Sequence, residues 1–201
     1  MGLFGRKDKE KVEVQDWPRL STIVKVEESL RQREEITPAR TAGVLYRHSD
    51  LNPFLKDIET NMREALNTGE GATQTGFRFK DEEGGLRWAI LEDTNFRDLA
   101  SSTYTAGNAI ASNGAKDCLI AAVFLFNFTH SVRETDTRSF LRSYWIYRYS
   151  RHAYYPFVPT SDKEGDRDRP SELELARLVH RAGLEIDREL EEWRGLWGIP
   201  F

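Results

Sequence analysis

Cysteine is all but missing from this sequence. Cys118 stands alone, so no disulfide forms within the chain, and a single thiol suits a reducing compartment. Histidine occurs four times, at His48, His130, His152 and His180. None of the four shows paired ligand spacing, so capping or surface roles are expected of each, with no metal and no other cofactor. Neither sign of charge dominates: 29 basic residues face 33 acidic ones, a net charge of -4. That balance argues against nucleic acid as a partner, because phosphate binding needs a clustered basic face. Long hydrophobic runs are lacking too. The longest, Cys118-Leu-Ile-Ala-Ala-Val-Phe-Leu-Phe126, falls well short of the roughly 20 residues a spanning helix needs and reads as a buried central strand. Met1–Lys11 has no apolar core of the kind a signal peptide carries. The expectation is a cytoplasmic protein.

What the chain does have is aromatic residues, at 11% of its 201 positions. They concentrate in Phe140-Leu-Arg-Ser-Tyr-Trp-Ile-Tyr-Arg-Tyr149 and Tyr154-Tyr-Pro-Phe-Val-Pro159. From Arg142 to Tyr149 the side chains split by parity, Ser143, Trp145, Tyr147 and Tyr149 against Arg142, Tyr144, Ile146 and Arg148. Period-2 alternation predicts a strand packed on one face and partly wetted on the other. With 39% hydrophobic and 31% charged residues, the length fits one ordinary domain over 16–201, preceded by a flexible tail over 1–15.

Along the chain, Ser21–Leu30 and Arg40–Arg47 read as two strands joined by the charged stretch Arg31–Pro38, with helix an open alternative over Glu27–Glu35. Asn52-Pro53 announces a helix with the stripe Phe54, Leu55, Ile58, Met62, Ala65 and Leu66, ended by Gly69. Thr75–Lys80 and Leu86–Glu92 form a hairpin about Gly84-Gly85, with Phe77, Phe79, Trp88 and Ile90 inward. A second helix begins near Asn95 and turns Phe96, Leu99, Thr103, Gly107 and Ile110 inward; Asn113-Gly114 stops it. After the strands comes the charged loop Thr160–Arg169, and Ser171-Glu-Leu-Glu174 reads as a capping box that opens a third helix. Strands connected mostly as hairpins predict a single α+β domain, a mainly antiparallel sheet with helices packed on one face.

Motifs for chemistry come close and fail. Gly69–Gln74 and Gly71–Gly76 have part of a phosphate loop's glycine spacing, but they sit where a helix leads into a strand, the reverse of the required context. Cys118 begins the most apolar strand and reads as an inert thiol. Glu92, Asp93 and Asp50 sit near element ends, where capping explains them. Tyr144, Tyr147, Tyr149, Tyr154 and Tyr155 with interleaved Arg142, Arg148 and Arg151 have the makings of a stacking platform for single-stranded nucleic acid. The acidic total favours two faces of a core sheet instead. The expectation is a protein that is not an enzyme.

Three blocks together carry a family resemblance. They are Phe79–Asp93; Leu119–Phe124 with Tyr144-Trp-Ile-Tyr147; and Tyr154-Tyr-Pro-Phe-Val-Pro159 with Leu196-Trp-Gly-Ile-Pro200. This resembles the PspAB family, phage-shock-protein-A-associated proteins, from about Val44 onward, and Met-Gly-Leu-Phe-Gly-Arg is similar to the family's usual opening. The turn Ser131–Ser139 looks longer than the family's. The resemblance implies an α+β fold like that of type III secretion chaperones. It also implies a non-enzymatic accessory or adaptor in a membrane-stress response, binding a PspA-type membrane-remodelling protein or an HtpX-type membrane protease. The alternative is a chaperone-like homodimer holding an extended client peptide.

Residues for partner binding are Tyr154, Tyr155, Phe157, Trp193 and Trp197, each with core packing as the competing role. The tail Trp193–Phe201 is expected to dock on the body or on a partner. Leu3 and Phe4 are candidates for weak peripheral contact with the inner face of the membrane, against the plainer reading of a frayed terminus.

Overall fold

The computed structural model describes residues 16–30, 36–67, 75–131 and 138–201. Six strands form one antiparallel sheet: β1 (Ile36–Arg47), β2 (Gly76–Glu82), β3 (Leu86–Glu92), β4 (Leu119–Ser131), β5 (Arg138–Arg148) and β6 (Ala153–Phe157). Their order is β2-β3-β1-β4-β5-β6. The helices are α1 (Trp17–Leu20), α2 (Thr22–Leu30), α3 (Pro53–Lys56), α4 (Ile58–Asn67), α5 (Phe96–Ile110) and α6 (Arg169–Arg181). The fold is α+β, as the sequence predicts.

Cross-strand register shows how alternation builds two cores. One row of paired residues runs Ala89, Val44, Ala122, Tyr147, Tyr154 across five strands and joins the core under the helices. The next row, Ile90, Gly43, Val123, Ile146, Tyr155, points to the opposite side. On the helical side α5 inserts Leu99, Ala106 and Ile110, while Phe96 meets Phe124 and Phe126 edge-on at 5.9 and 5.2 Å. Such edge-to-face rings add to the area they bury.

Local chemistry sets the element ends. The Asn52 side chain accepts from the Phe54 and Leu55 amides at 2.9 and 3.1 Å, and Asn95 caps α5 through the Arg97 and Asp98 amides. Gly84 and Gly85 have φ of 71° and 73°, values that turn the β2–β3 hairpin without a Cβ penalty.

Four elements differ from expectation. Thr22–Leu30 is the helix α2, where the expectation was a strand over Ser21–Leu30 with helix left open from Glu27. Its β-branched Thr22, Ile23, Val24 and Val26 favour a strand locally, but burial of Leu20, Ile23, Val24, Glu27 and Leu30 follows helical spacing and wins. The helix after Asn52 breaks at Asp57 (φ -106°, ψ 34°) into α3 and α4. The third helix starts at Arg169, capped by Asp168 through the Ser171 amide, so the predicted box at Ser171 is not the start. Phe77 and Phe79 share the helical side with Ala89 and Leu91, opposite Trp88 and Ile90.

On β5 the face of Arg142, Tyr144, Ile146 and Arg148 is exposed at Arg142 and half-buried at Arg148, the partial wetting expected of it, while Tyr144 and Ile146 between them are as buried as Trp145 and Tyr147. Residues 184–201 cross that side of the sheet and cover it.

Candidate interaction surface

The second sheet face is lined by Leu45 and Gly43 on β1, Trp88 on β3, Tyr144 and Ile146 on β5, and Tyr155 and Phe157 on β6. Over it lies a strap, residues 184–201, with one short helical turn at Leu190–Glu192 and otherwise little regular structure. It begins by extending the β6 edge: Tyr154 donates its amide to Glu185 O at 3.0 Å and accepts from the Asp187 amide at 2.8 Å. It then crosses the face and sets three rings into it. Trp193 stacks on Tyr155 at 6.2 Å, Trp197 meets Phe157 edge-on at 5.4 Å, and Phe201 meets Trp88 edge-on at 5.7 Å.

The strap's main chain is held by side chains of the body. Arg148 donates to Glu192 O at 2.7 Å, Arg167 to Trp193 O at 2.9 Å, Tyr155 to Arg194 O at 2.9 Å and Tyr144 to Phe201 O at 2.8 Å. At the far end Gly43 makes room for the last ring. A Cβ there would sit 2.7 Å from Phe201 Cε1 and 3.0 Å from Trp88 Cε3.

Charged groups brace this arrangement. Arg167 grips Glu172 with two hydrogen bonds of 2.9 and 2.8 Å, and their side chains are 8% and 0% exposed. Glu172 also accepts the Val158 amide, and the Arg167 guanidinium lies 4.9 Å over the Phe157 ring. Arg151 holds Asp187 and Glu189, and Arg148 holds the Glu192 carboxylate at 2.9 Å. That hydrogen bond from Arg148 lowers the Glu192 pKa from the ordinary carboxylate range. Burial raises the hydroxyl pKa of Tyr144 and Tyr155 on this face, and of Tyr46, Tyr147, Tyr149 and Tyr154 on the other.

The residues singled out in sequence fall as follows. Tyr155, Phe157, Trp193 and Trp197 come together on the second face. Tyr154 lies on the helical side, its hydroxyl donating to Leu20 O at 2.8 Å. Tyr154, Tyr155, Phe157 and Trp193 are all buried and Trp197 is half-buried, so packing within this chain accounts for every one. The aromatic platform imagined for nucleic acid is core as well: Tyr144, Tyr147, Tyr149, Tyr154 and Tyr155 are buried. Leu3, Phe4, Arg31–Glu35, most of the Gly69–Gly76 glycine stretch and the tip of the Ser131–Ser139 turn lie outside the described residues. Cys118 is half-buried in a turn before β4.

Asp16 is a polar centre that sequence reading passed over. It is 2% exposed and accepts the Tyr147 hydroxyl at 2.6 Å, with His152 Nδ1 also 2.6 Å from the same oxygen, which ties α1 to the β5–β6 turn. Beside it a cleft of about 200 Å³ is lined by Asp16, Lys116, Asp117, Leu119, Tyr149 and Ser150. A second, of about 380 Å³, lies between Arg40, Thr41, Glu92, Asp93 and Thr94. Among the described residues no group of three His, Cys, Asp or Glu is placed to hold a metal ion, and no helix is long and apolar enough to cross a membrane.

No curated protein and no solved structure matches the chain, so the expected likeness to type III secretion chaperones finds no counterpart there. A family model described as PspA associated protein B matches residues 2–201, well beyond the stretch from Val44 on which the sequence resemblance rests. The chain belongs to the PspAB family, whose name marks association with PspA.

Proposed function

We propose that this chain is a non-enzymatic accessory protein that binds a PspA-type protein, or an HtpX-type membrane protease acting beside it, in a membrane-stress response. The observation that carries this reading is the family match over residues 2–201. Both faces of the sheet are spent on the protein's own core, so a partner meets the molecule at its charged surface, at a sheet edge or along the strap. Affinity capture with the full-length tagged chain from cells under envelope stress is the test. Recovery of a PspA-type protein, repeated with purified components, supports the reading. Failure of the folded chain to retain it in both settings overturns it.

One observation favours a second reading, the chaperone-like homodimer. Among the described residues β2 carries no strand on its outer side, whereas β6 is partly paired by residues 185–187. An open edge accepts an extended segment as an added strand. Sedimentation giving a monomer at every concentration removes this alternative.

A further inference from the structure

We propose that the cleft beside Asp16 binds a small organic cation, the guanidinium or primary ammonium end of a free amine or of a partner's basic side chain. Such a site goes beyond the accessory reading and stands independently of it.

Three stretches distant in sequence meet at this cleft of about 200 Å³. Asp16 comes from just ahead of α1, Lys116, Asp117 and Leu119 from where β4 begins, and Tyr149 and Ser150 from the end of β5. Asp16 sits at the cap position of α1, yet its side chain makes no cap bond. The carboxylate is 3% exposed and places both of its hydrogen bonds on Oδ1, with the Tyr147 hydroxyl and His152 Nδ1 each at 2.6 Å. His152 reaches it from a left-handed backbone, φ 52°, which residues other than glycine rarely adopt. Among the described residues nothing donates to Oδ2, and that oxygen is not sealed in the core. Asp16 lines the cleft, so Oδ2 opens there. A carboxylate this buried has acceptor sites to spare and favours a donor on its second oxygen.

The neighbours do not supply that donor. The Tyr149 hydroxyl is buried without a hydrogen-bond partner and is closed against Gly107, where a Cβ would collide with it. Lys116 is exposed and, among the described residues, pairs with neither Asp16 nor Asp117. Charge and size then choose the ligand. Two carboxylates, Asp16 and Asp117, face one ammonium, Lys116. A metal ion asks for more ligands than this, and no group of three is placed for one among the described residues. The volume lies below the roughly 300–1,000 Å³ of a drug-sized site, so the cleft admits the end of a chain. A cation bearing N–H groups meets Oδ2 through a charge-assisted hydrogen bond, the stronger kind.

Backbone amide shifts of the isotope-labelled full-length chain are followed during titration with methylguanidinium or n-butylammonium chloride, with sodium chloride at equal ionic strength as the blank. Saturating shifts at Asp16, Asp117, Leu119 and Ser150 are expected, and none with tetramethylammonium, which has no N–H to give. Asp16→Asn keeps an acceptor for Tyr147 while removing the charge, and should weaken binding about tenfold or more. Shifts that never saturate, that tetramethylammonium reproduces, or that persist unweakened in folded Asp16→Asn overturn the site. Should that variant fail to fold, Lys116→Met carries the comparison: losing the exposed rim charge should tighten binding severalfold, and unchanged affinity overturns the site. Nα-acetylarginine methylamide separates the two sources. Tighter binding than methylguanidinium assigns the site to a partner's side chain, and equal or weaker binding assigns it to a free cation.

Discussion

The two sides of the sheet are covered by different kinds of structure. The helical side receives α2, α4 and α5, whose main-chain hydrogen bonds are largely closed within each helix, so mostly apolar side chains meet the strands, with Asp16 and the Leu20 carbonyl taking the Tyr147 and Tyr154 hydroxyls. The opposite side receives Leu173 and Ala176 of α6 and the strap, whose main-chain oxygens at Glu192, Trp193, Arg194 and Phe201 accept from Arg148, Arg167, Tyr155 and Tyr144. Both sides bury an apolar core, and the strap adds discrete hydrogen bonds from sheet and loop side chains to its main chain.

Substitutions break this contrast at different depths. Trp145→Ala removes a ring that is 1% exposed on the helical side, and a loss of about 4 kcal/mol is expected. Denaturant unfolding followed by far-ultraviolet dichroism and by tryptophan emission should then move as one transition. Arg167→Ala leaves the fully buried Glu172 carboxylate with only the Val158 amide and Arg169 at 3.6 Å, and releases Trp193 O, at a cost of about 3 kcal/mol. Here emission from the strap tryptophans should shift before the dichroism falls; coincident curves would show that the two sides are one cooperative unit. Phe201→Ala deletes a half-buried ring at about 1.5 kcal/mol, and hydrogen exchange should quicken in the strap without change in β4.

Acid gives the smallest effect. Because its folded pKa is lowered, Glu192 contributes stability that is present above the ordinary glutamate range and is lost as pH falls through the lowered value. A red shift of tryptophan emission in that acid window, absent in Glu192→Gln, is the expected reading.

Much of this architecture could be read from residue patterns. The run Leu119–Phe126, the caps Asn52 and Asn95 and the glycine pair at the hairpin each carry a local physical cause, and each sits where that cause places it. Helix α2 was illegible because its β-branched residues speak for a strand, and only the burial of every third or fourth side chain decides otherwise. The strap was half legible. Its rings at 193, 197 and 201 announced a docking segment, but what holds them is remote in sequence: Arg148 lies 44 residues from Glu192, and Arg167 lies 26 from Trp193. No spacing rule links such pairs, although the aromatics on both parities of β5 did speak for a core on each side.

Burial has an optical consequence. Six of the seven tyrosines have hydroxyls that resist ionisation in the native state. Phenolate absorbance in an alkaline titration should therefore stay nearly flat through the usual phenol range and then rise in one step as the chain lets go. Raised phenol values favour the native state below that range and cease to do so as pH climbs, so the molecule carries its own spectrophotometric report of base-induced collapse.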